Sequence, residues 1–315
     1  MAVMHRYLAA LLAMVVLLAA QRAPAAESAA VTSPRATVTL VSDTDAVTQG
    51  VPFRLGLRLR MAPGWHTYWQ NPGDAGAAPS ITLVLPPWLQ AGPIEWPTPR
   101  LQPEAGLMTY GYDGEVLLPL TVSGGAPSGG AGRIVAEATW LVCEKLCVPE
   151  EGRFSLDLPE GTPQASAQAR LFAATAARMP RPSPWPARIA PDGVLRMAGE
   201  GLGPQSVAAA WFMPLVNDAI AAAAPQMLRL GPGRLSLAMT VGAAFKPGLP
   251  LDGVMVLRDQ GGAETGLQVR AVPGPVEADA APGLAELLGH AVPLRADWVG
   301  GVAVAPGQVR SEERR

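Results

Sequence analysis

The chain has 315 residues, 49% of them hydrophobic, and a formal net charge of −2 at pH 7 that becomes −4 when Arg6 and Arg22 leave with the leader described below. No basic block tracks a phosphate backbone, which excludes nucleic acid as a partner. About 290 mature residues exceed the usual domain size, so two domains are expected, and 34 glycines with 33 prolines in so apolar a chain describe a core built from short elements joined by turns.

His5 and Arg6 precede an apolar run from Tyr7 to Ala20, and Ala23-Pro24-Ala25 supplies small residues for cleavage, so residues 1–25 read as a secretory signal peptide. The 14-residue run is shorter than the roughly 20 apolar residues that span a bilayer. Ala219 to Ala224, a later apolar stretch, stops at Pro225. The expected mature protein is exported, soluble and not membrane-spanning after signal cleavage, in an oxidising space where disulfides persist.

From Phe53 to Arg60 the side chains alternate strictly, which puts Phe53, Leu55, Leu57 and Leu59 on one face of a strand. Further strands are expected at Thr37 to Val41, Ile81 to Leu85, Val116 to Val122, Arg133 to Val142 and Phe154 to Leu158, bounded by Gly, Pro and Asp. Their number and spacing suit a sandwich of two antiparallel sheets over residues 33–160. Gly124 to Gly132 reads as a flexible hairpin connection.

Beyond Pro159 the pattern changes. Thr162-Pro163 offers an N-cap and a first helical residue for an Ala-rich helix to Arg178. Pro180, Pro182, Pro184 and Pro186 then form a stiff extended connector, so residues 161–186 are a helix and Pro-rich linker. Alternation returns at Leu235 to Val241 and Leu251 to Leu257, and a second, cysteine-free β-sandwich domain is expected at 187–305, followed by a polar, disordered tail at 306–315.

Cys143 and Cys147 are the only cysteines and lie three residues apart. Two cysteines in an exported chain ordinarily pair. A ring of five residues stabilises by only about 2 kcal/mol on the chain-entropy model, against nearly 5 for a ring of about 100. Stability is therefore a poor reason for so short a loop, yet the spacing is wider than that of thioredoxin-like motifs, and spacing alone leaves staple and redox exchange open. A third reading is a soft ion such as Cu(I) on two thiolates. Zinc normally takes four ligands, and His66 and His290 are the only mature histidines. Lys145 favours a thiolate, whereas Glu144, Glu150 and Glu151 oppose it.

No Gly-x-Ser-x-Gly elbow, His-Glu-x-x-His pair or Gly-Lys-Ser/Thr phosphate loop is present, which sets the hydrolase classes aside, and no bound cofactor is expected. The Glu150-Glu151 pair reads as ordinary solvated surface.

Four segments occur in order: Gly64-Trp-His-Thr-Tyr-Trp-Gln-Asn-Pro-Gly73, Pro93-Ile-Glu-Trp-Pro97, Tyr110-Gly-Tyr-Asp-Gly-Glu-Val-Leu-Leu-Pro119, and Trp140-Leu-Val-Cys143 through Cys147-Val-Pro-Glu-Glu151. Together they resemble the N-terminal periplasmic region of the DsbD/ScsB family of membrane thiol:disulfide interchange proteins. The likeness covers about residues 36–160 and continues through Trp211-Phe-Met-Pro214 and Leu251-Asp-Gly-Val-Met-Val256, as in the ScsB branch. It implies an all-β protein of two immunoglobulin-like β-sandwich domains, located in the periplasm. It also implies a Cys143–Cys147 disulfide that opens as a dithiol to relay electrons, a protein-disulfide reductase type of activity. The partners it implies are a separately encoded membrane electron carrier of the DsbD/ScsB type and periplasmic thioredoxin-like proteins, since the sequence ends at Arg315 without the family's multi-helix membrane and thioredoxin-like domains. The reading from another class is a non-catalytic binding, assembly or copper-tolerance module whose disulfide is structural.

In the better-known branch an acidic and aromatic loop caps the cysteines. The matching stretch here is Leu107-Met-Thr-Tyr-Gly-Tyr112, which offers Tyr110 and Tyr112 as shields and no acidic pair. Trp65, Tyr68 and Trp69 are further shielding or docking candidates, with core packing as the plainer reading. His66 is a candidate for proton transfer, because an imidazole titrates near neutral pH.

Overall fold

The computed structural model describes residues 26–124, 132–274 and 292–293. The expected signal peptide, most of the Gly124–Gly132 connection, His290 and the tail at 306–315 lie outside the described residues. The protein is all-β, with one short helix among the described residues.

The first sheet has the order β1 (Val31–Thr32), β2 (Ala36–Ser42), β3 (Phe53–Met61), β9 (Glu115–Gly124), β6 (Leu89–Ala91), with every pair antiparallel. The alternation of β3 is observed: Phe53, Leu55, Leu57, Leu59 and Met61 are buried and Arg60 is exposed. The second sheet runs β11 (Cys147–Leu158), β10 (Gly132–Cys143), β4 (His66–Gly73), β8 (Leu107–Asp113), β7 (Arg100–Glu104). On the β10 edge away from β11, β5 (Ser80–Val84) and β4 follow one another. The two sheets enclose one core in which Val38, Leu40, Leu55, Leu57 and Leu118 meet Trp69, Ala136, Trp140, Phe154 and Leu156. Each large apolar side chain so buried contributes about 1.5–3 kcal/mol.

The helix, α1 (Ala169–Ala177), covers the outer face of the first sheet, where Phe172 packs on Val41 and Leu117. A Cβ at Gly56 would lie 2.5 Å from Leu117 Cδ1, so the glycine leaves room for that layer. The helix begins six residues later than Thr162-Pro163 suggested. Residues 164–166 instead run alongside the end of β2, where the Gln164 N–H donates to Asp45 Oδ1 (2.9 Å) and the Ser166 N–H to Asp43 O (2.9 Å). The Gln164 carbonyl, which a first helical turn would need as an acceptor, instead accepts from the Asp45 N–H and Thr44 Oγ1, both at 3.1 Å.

The proline segment is not free-standing. Its strand β12 (Arg181–Pro182) pairs in parallel with β19 (Glu264–Pro273). The remaining strands are β13 (Ala187–Ile189), β14 (Val194–Ala198), β15 (Ala209–Pro214), β16 (Met227–Gly231), β17 (Arg234–Ala238), β18 (Leu251–Arg258) and β20 (Val292–Pro293). They form one sheet in the order β15-β18-β19-β13-β14-β17-β16-β20, which folds around Leu195, Leu237, Phe212, Met255 and Val269. On β15, Gln226 stands in for a neighbouring strand: its amide nitrogen donates to Phe212 O and its oxygen accepts from Phe212 N–H, both at 2.8 Å.

The two β units pack directly on one another. Trp211, Met213, Val254 and Val256 join the core of the first unit. The buried Asn71 amide of β4 donates to Pro214 O at 2.7 Å.

Candidate functional site

The cysteines close a hairpin. β10 and β11 pair without a break from Gly132↔Leu158 to Cys143↔Cys147, so the sequence Glu144-Lys145-Leu146 alone forms the tip. The ladder brings the two Cα atoms to 4.1 Å, and the residues are disulfide-bonded. Their environments differ: Cys143 is fully buried, whereas Cys147 is exposed. Of the pair, Cys147 is the residue open to solvent and Cys143 the one enclosed by the fold.

Strand β4 lies beside Cys143, through the Cys143↔His66 pair. Thr67 Oγ1 donates to Leu141 O (2.9 Å), which fixes β4 against the end of β10. The next side chain reaches the sulfurs. Tyr68, fully buried, donates its hydroxyl to Cys143 Sγ at 2.7 Å, and the same oxygen lies 3.4 Å from Cys147 Sγ. The ring is held by close packing: a Cβ on Gly76, whose φ is +100°, would fall 2.2 Å from Tyr68 Cε1. Burial, reinforced by the Glu104 carboxylate, pushes the Tyr68 phenol up to about 12. It therefore stays protonated, and a hydrogen-bond donor, across the physiological range.

His66 is buried with its ring 5.4 Å from that of Tyr68, edge to face. Its Nε2 is 3.8 Å from Glu104 Oε2, too far for a hydrogen bond, and has no hydrogen-bond partner. Burial holds its pKa below the usual imidazole value, against the opposing pull of Glu104 and Asp113. The imidazole is thus neutral at pH 7. Glu104 arrives on the hairpin between β7 and β8, whose turn is Ala105-Gly106 with both φ angles positive (47° and 86°). Sequence reasoning missed this residue, because the acidic contribution was sought between Leu107 and Tyr112.

The other aromatic candidates have contacts of their own. Tyr110 and Tyr112 belong to the buried middle of β8. Tyr110 packs edge to face on Trp69 at 6.4 Å, and Tyr112 donates its hydroxyl to Pro97 O at 2.8 Å. Neither hydroxyl bonds a sulfur, and burial pushes both phenols upward. The aromatic that bonds the disulfide is Tyr68, from the neighbouring strand. Trp69 is buried, in line with the packing alternative, and Trp65 is partly buried beneath the Arg35 guanidinium, 5.8 Å from its ring centre.

Glu150 is not solvated surface. Its carboxylate accepts from Trp140 Nε1 (3.0 Å) and Arg35 Nε (2.7 Å), which ties the base of the cysteine hairpin to the start of β2. Glu151 is exposed. Among the described residues no group of three or more His, Cys, Asp or Glu side chains is placed to hold a metal ion. The arrangement offers a reachable sulfur, a buried sulfur, and a neutral donor between them, the equipment for opening and closing one disulfide.

Comparison with known proteins gives two likenesses. The family model described as the N-terminal part of thiol:disulfide interchange protein DsbD matches residues 37–159. The crystal structure of the N-terminal periplasmic domain of ScsB from Proteus mirabilis is similar in fold, with a TM-score of 0.59 at 20% identity over 79% of this chain and 99% of that one. The periplasmic chaperone SfaE, at 11% identity, aligns over 75% of this chain and 100% of its own with a TM-score of only 0.17 and has no bearing on the fold. No curated protein matches the sequence.

Proposed function

We propose that the chain, which the DsbD N-terminal family model matches over residues 37–159, is a periplasmic relay that passes electrons through the Cys143–Cys147 pair to partner oxidoreductases. Its partners are a membrane-embedded electron carrier and thioredoxin-like proteins. The observation that carries this reading is the asymmetry of the pair, with Cys147 exposed and Cys143 buried under the Tyr68 hydroxyl.

The reaction is a double exchange. With the pair reduced, the Cys147 thiolate attacks one sulfur of a partner disulfide; a mixed disulfide forms and the partner's other sulfur leaves as a thiolate. The Cys143 thiolate then attacks Cys147 Sγ, breaks the mixed disulfide and closes the internal bond. Two electrons have passed to the partner, which takes up two protons and departs as a dithiol, while the pair is left oxidised. Recharging runs in reverse: a donor thiolate attacks Cys147 Sγ and Cys143 is the leaving group. Tyr68 then donates its hydrogen bond to the developing Cys143 thiolate, which stabilises it where burial alone would raise its energy.

The test is mixed-disulfide trapping. Cys143→Ala removes the resolving sulfur and is expected to accumulate a covalent complex with a thioredoxin-like protein through Cys147, cleaved by dithiothreitol. Cys147→Ala, with only the buried sulfur left, is expected to trap little. Equal trapping by both variants, or none by either, contradicts the proposal.

A further inference from the structure

The hairpin tip exposes an apolar side chain that the fold does not use. Leu146 is 73% exposed, more than any other large hydrophobic residue among the described ones. It precedes Cys147 directly, on a three-residue tip held by the β10–β11 ladder. Glu144 turns back toward Gly64, where a Cβ would meet its Oε1 at 3.2 Å. A polar residue would close such a tip equally well, so local folding does not account for leucine.

Thiol exchange supplies a reason. The attacking sulfur must approach Cys147 Sγ along the S–S axis to bonding distance. Adjacent Cα atoms are only about 3.8 Å apart. A protein that brings a sulfur to Cys147 therefore comes within one residue of Leu146, whose exposed side chain extends the contact that exchange itself requires. On the reading proposed above, we infer that Leu146 is the docking residue for the redox partner. The partner it fits is a thioredoxin-like protein that presents an apolar groove beside its own exposed cysteine, where burial of leucine is favourable. Apolar burial without a shared charge pattern would also let one tip serve both electron donor and acceptor.

Rates of exchange by the reduced full chain separate docking from chemistry, with oxidised thioredoxin as the protein probe and glutathione disulfide as the small one. Leu146→Glu is expected to slow reaction with thioredoxin about tenfold or more and to leave the rate with glutathione disulfide within about twofold, while Leu146→Met stays near wild type with both. Equal slowing with both probes, or no slowing with thioredoxin, overturns the docking role. So does a wild-type chain that reduces glutathione disulfide but not thioredoxin, an outcome that leaves the pair's redox activity standing. Failure to reduce either probe overturns the relay itself. A dimer that Leu146→Glu disperses, with thioredoxin exchange unchanged, would assign the leucine to self-association instead.

Discussion

At the scale of single residues the chemistry depends on one hydroxyl. Tyr68 donates to the buried Cys143 sulfur at 2.7 Å, and a hydrogen bond to a charged group contributes about 1.5–3 kcal/mol. Tyr68→Phe keeps the ring and removes that donor, so the reduced pair is destabilised in its thiolate form. The reduction potential is expected to fall by about 30 mV or more, since 30 mV corresponds to about 1.4 kcal/mol for two electrons, and attack at Cys147 should slow about tenfold. With the phenol pushed up to about 12, the difference between wild type and variant rates should persist unchanged from pH 6 to 9. Stopped-flow exchange with dithiothreitol measures this; equal rates would remove Tyr68 from the mechanism. Tyr68 could be named from sequence only as one aromatic among several. What distinguishes it from Tyr110 and Tyr112 is which strand lies beside Cys143, and that is a property of sheet order.

At the scale of elements, the cysteine hairpin is stiffened at its base by the Trp140–Glu150–Arg35 contacts. Glu150→Ala leaves the nearly buried indole N–H without its acceptor and Arg35 without its carboxylate, a loss expected to cost about 1–3 kcal/mol. Denaturant unfolding should show a lower midpoint for this variant than for Glu151→Ala, whose side chain is exposed; equal midpoints would mean that the contacts do not stabilise the hairpin. The elements most legible in the sequence were strands with one wet face, such as β3 and β10, because their burial has a period of two. Strand β4 had no such signature: His66, Thr67, Tyr68 and Trp69 are all buried and its pairing with β8 shifts between Tyr68 and Gly73. The strand that furnishes most of the site was therefore the hardest to read. Glu104 escaped for a related reason, since its hairpin turns on Ala105-Gly106 without the Asn or Asp that usually marks such a turn.

For the whole molecule, the Cys143–Cys147 pair and the segments around it were legible, while the union of the two β units was not, because residues more than 140 positions apart meet there. Trp211 and Val254 complete the first core, and Asn71 bonds Pro214 across the junction. Unfolding by heat is accordingly expected as one calorimetric transition for both units; two separated transitions would show that the junction contributes little. The electron relay is tested most directly by the reduction potential of the Cys143–Cys147 pair, measured in the full chain by equilibration against glutathione or dithiothreitol. A pair that exchanges with partners should lie well above about −300 mV, where it can be opened and closed by other thiol proteins, whereas a value below about −300 mV, as is typical of structural disulfides, would contradict the relay and leave the bond a staple.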